Sequence, residues 1–362
     1  MSSSMSSSIQ EVGSGGTNTM KAVVFTGDPT PSVLSVERPP HSADRVLLRV
    51  VRAGICGTDL SILSGKHPRA RAPLVLGHEI AAYVEQIGAV AAGERPELCV
   101  GDLVTVEPII SCGTCGACRR GLPHVCRTLR LYGIDLPGGM AEFMSVAANR
   151  IVRAPRGMSP EMVVLAEPLA VAVHTVRISG IRYGDSVCVI GGGPIGLLTA
   201  LVAQAATPVP ILVSEPVPSR RDVAQALGLD VVDPINQPLD EFISERTGGE
   251  GVDLCFETAG SQPAINAATR VLRSRGTLVQ VSMPKEPRHV NLVDITFKEL
   301  VVKGVRVYEP FDFEHALDFL ARKPERFRPL LSRPYHLDEA VEAFAAARAG
   351  DQGLRIIFQT GA

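Results

Sequence analysis

The chain predicts a two-domain α/β protein, a β-rich domain followed by a doubly wound parallel sheet, and three observations carry that expectation. Its 362 residues exceed the length over which a single hydrophobic core usually keeps growing. Short strand-like runs give way near Gly180 to strands that alternate with helices. At that change stands a glycine-rich turn, Gly191-Gly192-Gly193-Pro194-Ile195-Gly196, between an apolar run and a helical stretch.

The runs 20–25, 45–53, 79–87, 102–106 and 139–146 are β-branched or alternating and are punctuated by Gly, Pro and Asp, the signature of an antiparallel or barrel-like β domain. From about Gly180, strand-like runs at 186–190, 211–214, 252–256, 277–281 and 300–302 alternate with helix-like stretches at 195–206, 220–227 and 263–272. Such alternation implies βαβ units with helices on both faces of the sheet. Two more helical patterns, 313–321 and 337–347, precede a final strand-like run, 354–358, expected to return to the first domain. The expected domains are 20–172 with 308–362, and 173–307.

Composition excludes several classes. With 45% hydrophobic residues, 34 Gly and 27 Pro, the chain suits a turn-rich folded protein rather than a fibrous or disordered one. Mean hydropathy is +0.18, yet no stretch of about 18 apolar residues could span a bilayer. A formal net charge of −2 with both signs interspersed lacks the basic footprint of nucleic-acid binding. A small-molecule substrate is therefore expected, with neither nucleic acid nor membrane as partner. Residues 1–19, rich in Ser, Gly and Thr, read as a flexible tail. They lack the basic start and apolar core of a secretory signal, so folding is expected to begin near Met20 and the compartment to be cytoplasmic. Reducing surroundings disfavour disulfides for the eight cysteines and raise metal ligation instead.

The glycine turn has the G-x-G-x-x-G spacing of a dinucleotide-binding loop. Gly191 permits the tight turn, Gly193 lets backbone approach a pyrophosphate, and Gly196 lets the helix pack closely; Pro194 and Ile195 open that helix. Glu215 ends the next strand-like run, 19 residues beyond Gly196, where a carboxylate can accept ribose hydroxyls and repel a 2′-phosphate. NAD is expected over NADP. Arg220 and Arg221 could clasp such a phosphate, but they read first as solvated residues of a helix start.

Cys112, Cys115, Cys118 and Cys126 form C-x2-C-x2-C-x7-C. Four thiolates can close tetrahedrally around Zn²⁺ with no open position, which makes the site structural. An iron–sulfur cluster can use similar spacing, and a nucleic-acid zinc finger is a third reading without a recognition helix nearby. Cys56, His78, Glu79 and Glu167 are dispersed metal-capable residues, each with an ordinary alternative as a core or surface side chain. Cys99, Cys188 and Cys255 lie in apolar runs and read as core residues, while His67 and His174 read first as structural.

Taken in order, GICGTDL (54–60), GHE (77–79), the four-cysteine lobe, EPLAVAVH (167–174) and GGGPIG (191–196) resemble the zinc-containing medium-chain dehydrogenases. The likeness spans essentially everything after Met20 and is nearest to the sorbitol, threonine and butanediol dehydrogenase branch. It implies a GroES-like catalytic domain and a Rossmann NAD-binding domain, two Zn²⁺ per chain, one catalytic and one structural, and a homodimer or homotetramer. It further implies that Cys56 and His78 bind the catalytic zinc with Glu79 or Glu167. In the alcohol dehydrogenase branch a cysteine occupies the position of Glu167, so this chain departs toward polyol-like substrates. Thr58 matches a proton-relaying hydroxyl, and Asp59 a carboxylate that orients the histidine ligand. Specificity is expected from a pocket between the domains, lined partly by residues 61–67 and 131–137. The implied reaction is hydride transfer between NAD and a secondary alcohol: a polyol, sugar alcohol, vicinal diol or cyclitol. A threonine-type amino alcohol is the alternative substrate; a zinc-free reductase and a non-catalytic cofactor-binding protein of the same fold rank lower.

Overall fold

The structure, a computed structural model, describes residues 18–350 and 353–361. Most of the expected tail lies outside them, but its last two residues do not, and Thr19 opens the strand Thr19–Phe25. By internal contacts the chain forms two compact units, Met1–Glu167 with Leu331–Ala362, and Pro168–Leu330.

The first unit is built around the strand Arg45–Gly54, whose Val46, Leu48 and Val50 alternate into a buried cluster with Ile80, Ala82, Val84, Val104 and Val146. This strand pairs antiparallel with Glu79–Ile87, Phe143–Ala147 and the terminal strand Arg355–Gln359. The chain's end does return to the first unit, as expected. A separate three-stranded sheet joins Ser32–Glu37, Thr19–Phe25 and Leu74–Val75. Register decides what meets what: Gly54 lies opposite both Glu79 and Ile357. Cys56, His78 and Arg355, each one or two residues from those positions, are thereby delivered to one end of three adjacent strands.

The second unit is a six-stranded parallel sheet in the order Asp230–Val232, Ile211–Ser214, Val187–Ile190, Val252–Glu257, Leu272–Gln280, Val301–Gly304. Strands Val187–Ile190 and Ile211–Ser214 are buried throughout, as strands covered by helices on both faces must be. Strand order reverses between Val187–Ile190 and Val252–Glu257, which opens a crevice at their carboxyl ends.

The boundaries differ from expectation, falling at 167/168 and 330/331 rather than 172/173 and 307/308. Helix Pro310–Arg322 and the turn after it stay with the second unit because Asp312 bonds His174 and Arg177, and Arg326 bonds Gln204. No helix among the described residues is long and apolar enough to cross a membrane.

Candidate functional site

In the cysteine lobe, a one-turn helix, Gly116–Arg119, and a short 3-10 turn, Pro123–Val125, fold the four thiols together. Sulfur–sulfur separations are 3.5 Å for Cys112–Cys126, 3.6 Å for Cys115–Cys118, 3.9 Å for Cys115–Cys126 and 4.0 Å for Cys112–Cys118. A zinc tetrahedron with Zn–S of about 2.3 Å has edges of about 3.8 Å, so the four sulfurs fit that ion. The Thr114 hydroxyl and the backbone N–H groups of Thr114 and Cys115 push the Cys112 thiol down to about 5. Thiolate is the form a metal binds.

The second group forms where the three strand ends meet. Cys56 caps the helix Gly57–Leu63, and its N–H donates to Asp59 Oδ2 at 2.8 Å. Cys56, His78 and Glu79 each offer a ligand atom within 4.8 Å of the others. His78 and Glu79 are 4% and 1% exposed, and His78 Nδ1 and Glu79 Oε1 have no hydrogen-bond partner. Buried polar atoms without partners are rare and call for an explanation; a cation beside Cys56 supplies one. Burial works against a charged imidazole, yet Cys56, Asp59 and Glu167 together hold His78 well above its usual range.

Glu167, buried in the first turn of Ala166–Ser179, stands outside this three-residue group, though its charge acts on His78 and Arg355. Asp59 does not orient His78 through a hydrogen bond. The two lie 4.0 Å apart, beyond hydrogen-bond reach, because the carboxylate is turned to the Cys56 N–H. Burial raises Asp59 to about 6. Thr58 Oγ1 sits 3.7 Å from Cys56 Sγ.

Arg355 was not anticipated. It is 3% exposed and forms an ion pair with Glu79. Its signal in the sequence is a lone cation inside the apolar run Leu354-Arg355-Ile356-Ile357-Phe358. Gly54 must be glycine, since a Cβ there would strike the Glu79 carboxylate.

In the second unit, Gly191 turns the chain at φ 107° and Gly193 caps the helix Pro194–Ala206. A Cβ at Gly191 would come within 2.7 Å of Thr258 Oγ1, whereas one at Gly193 would meet nothing within 4 Å. That open space suits a ligand approaching the backbone. Glu215 is 2% exposed; its Oε2 accepts from Gly192 N at 2.7 Å and its Oε1 from Val217 N at 2.9 Å. Arg221 is occupied by the Glu215 and Pro216 carbonyls and by Asp233. Arg220 Nη1 is 3.9 Å from Glu215 Oε2.

Sequence reading missed Glu257, fully buried at the end of Val252–Glu257, whose carboxylate gathers the Ala259 and Gly260 N–H groups, Gln280 and Ser282. It fixes the loop that abuts Gly191. His174 is structural, at 2.8 Å from Asp312. Cys188 and Cys255 are buried register partners, but Cys99 is exposed rather than in the core, because its residue turns the chain at Asp102.

Residues 42–156 match the alcohol dehydrogenase GroES-like domain, and residues 194–322 the zinc-binding dehydrogenase domain. The 2-dehydro-3-deoxy-L-galactonate 5-dehydrogenase of Pseudoalteromonas atlantica is 36% identical over 95% of this chain and 99% of that protein. The chain belongs to the zinc-type medium-chain dehydrogenases. An L-threonine 3-dehydrogenase of Pyrococcus abyssi is 33% identical over 90% of this chain and 94% of its own length. A solved zinc-binding dehydrogenase from Sinorhizobium meliloti, bound to NADP, superposes with a TM-score of 0.86 at 31% identity, over 94% of this chain and 99% of that one. As a member of this family the dehydrogenase is an oxidoreductase acting on CH–OH groups, with the GroES-like and Rossmann-like parts expected from its sequence.

Proposed function

We propose that this dehydrogenase interconverts a secondary alcohol of the polyol class and its ketone, with NAD as partner and two zinc ions per chain. The observation that carries the reading is the Cys56–His78–Glu79 group, whose buried His78 Nδ1 and Glu79 Oε1 lack partners. Cys112, Cys115, Cys118 and Cys126 would hold a structural zinc. Cys56 and His78, with Glu79 or Glu167 as the exchangeable acid, would hold the catalytic one. When bound, this zinc supplies Lewis acidity at the substrate oxygen and the nicotinamide the hydride acceptor, so that alcohol and NAD⁺ give ketone, NADH and a proton.

The chain's own residues supply the rest. Thr58 Oγ1, beside Cys56, takes the hydroxyl proton and passes it on, because a hydroxyl both donates and accepts. Arg355 holds Glu79 Oε2 and leaves Oε1 free. Glu215 sits between the Gly192 and Val217 N–H groups, and its charge would meet the adenosine ribose and disfavour a 2′-phosphate there. Gly193 leaves room for the pyrophosphate at the helix N-terminus.

Kinetics with NAD and NADP on a panel of polyols and amino alcohols test the reading. The expected result is metal-dependent NAD reduction with kcat/KM favouring NAD. A preference for NADP would make Arg220, whose buried Nε has no partner, outweigh Glu215. Turnover surviving complete zinc removal would overturn the metal's role.

A further inference from the structure

His67 lies on the loop that leaves helix Gly57–Leu63, the helix capped by Cys56. Its Nδ1 accepts the Arg69 N–H at 3.4 Å and the Ala70 N–H at 3.2 Å. An imidazole nitrogen that accepts carries no proton, so a neutral His67 bears its proton on Nε2. That Nε2–H makes no hydrogen bond among the described residues. Burial, then Arg69, pushes His67 below its usual range while Asp135 opposes them, and the charges of His78 and Arg71 also reach it.

The loop is held in place. Arg69 donates to the Leu129 carbonyl and pairs with Asp135 at 3.3 Å, and Asp135 in turn accepts the Leu131 N–H at 2.9 Å. Residues 133–139 pack directly on Gly77, the neighbour of His78: Gly139 N donates to Gly77 O at 3.0 Å, and neither Gly133 nor Gly138 has room for a Cβ against that backbone. The loop carrying His67 is therefore tied to the segment that carries the metal-capable histidine.

Charge on these loops is one-sided. Lys66, Arg71 and Arg130 are exposed and have no ion pair among the described residues. Across residues 64–73 and 127–137 the only acid is Asp135, already taken by Arg69.

Resting on the dehydrogenase reading above, we propose that the substrate is a polyhydroxy acid. Its carboxylate is read by His67 Nε2–H in the positive field of Lys66, Arg71 and Arg130, while its reacting hydroxyl lies at the Cys56–His78–Glu79 group. His67 is then a specificity-determining residue. A neutral imidazole donates without a counter-charge to desolvate, and the exposed cations draw the anion in.

The test compares three sets of six-carbon probes on the zinc-loaded enzyme with NAD: hexonates, alditols of the same configuration, and alditol phosphates. A site built to bond a polar group rejects the analogue that lacks it, so the best hexonate should exceed the best alditol by about 100-fold or more in kcat/KM. His67→Ala should raise the hexonate KM by roughly 10-fold and that of the alditol far less, and His67→Gln, which keeps an N–H donor, should recover part of the loss. Calorimetric titration of the enzyme–NADH complex with the hexonate should show the same weakening without turnover. Equal use of alditols, or equal effects of His67→Ala on both sets, would overturn the proposal. Preference for the phosphates would overturn the choice of a carboxylate. Failure of all three sets to reduce NAD would instead overturn the polyol reading of the proposed function on which the proposal rests.

Discussion

Replacing Arg355 with methionine keeps the bulk of the side chain and removes its charge from a place that is 4% exposed, opposite a Glu79 side chain that is 1% exposed. With the catalytic zinc stripped, the Glu79 carboxylate is then left in the interior without a counter-ion. Breaking a buried pair from one side costs about 3–5 kcal/mol, far more than the pair's net worth, because one charge stays desolvated. In a domain of about 200 residues each kcal/mol moves Tm by about 2–4 °C, so the first unit's transition should fall by roughly 6–20 °C. Removing both charges in Arg355→Met/Glu79→Gln should recover much of that loss, since an apolar or neutral replacement of both partners is often close to neutral. Scanning calorimetry of parent, single and double variants measures it. A single variant within about 2 °C of the parent, or a double variant worse than the single, would refute the reasoning that Arg355 neutralises Glu79.

The remaining predictions separate the roles of the site residues. Cys115→Ser should lower stability and yield, because structural zinc supplies folding energy, whereas Cys56→Ser should abolish turnover and leave a folded protein that still binds NAD; circular dichroism and cofactor titration distinguish them. Thr58→Val should lower kcat by about 100-fold at neutral pH, the scale of a lost proton-transfer step, with Thr58→Ser near the parent. Burial opposes ionisation of Asp312, but hydrogen bonds from His174 and Arg177 hold its carboxyl far below the usual carboxylate range. A depressed acid contributes stability above its unfolded value and loses it as pH falls below about 4. The parent should therefore lose stability in acid more steeply than Asp312→Asn, as denaturant midpoints across pH 2–6 would record.

Local patterns made much of this molecule legible. The glycine turn and the carboxylate after the next strand are short-range features with fixed spacing, so the turn at Gly191, the helix cap at Gly193 and the strand end before Glu215 could be read from the chain alone. The cysteine lobe is equally local, with all four sulfurs inside 15 residues (112 to 126). Cys56, His78 and Glu79 became a group only through strand register, Gly54 opposite Glu79, which the alternating pattern does not specify between strands. Arg355 joins from the far end of the chain through a second pairing, so no window could contain it. Glu257 was hidden for another reason: a buried acid at a strand end reads as an ordinary surface acid until its four donors are seen. Asp59 shows the opposite error. Its position suggested a bond to the histidine, but the carboxylate had a nearer donor in the Cys56 N–H.

Zinc content tests the central claim most directly, that two separate ligand sets hold two ions with different duties. Elemental analysis of the purified parent should find about two zinc ions per chain, and Cys56→Ser about one, with the remaining ion resistant to a chelator that strips the catalytic site. A fully active parent with one zinc or none, or a Cys56→Ser variant that keeps both, would contradict the account.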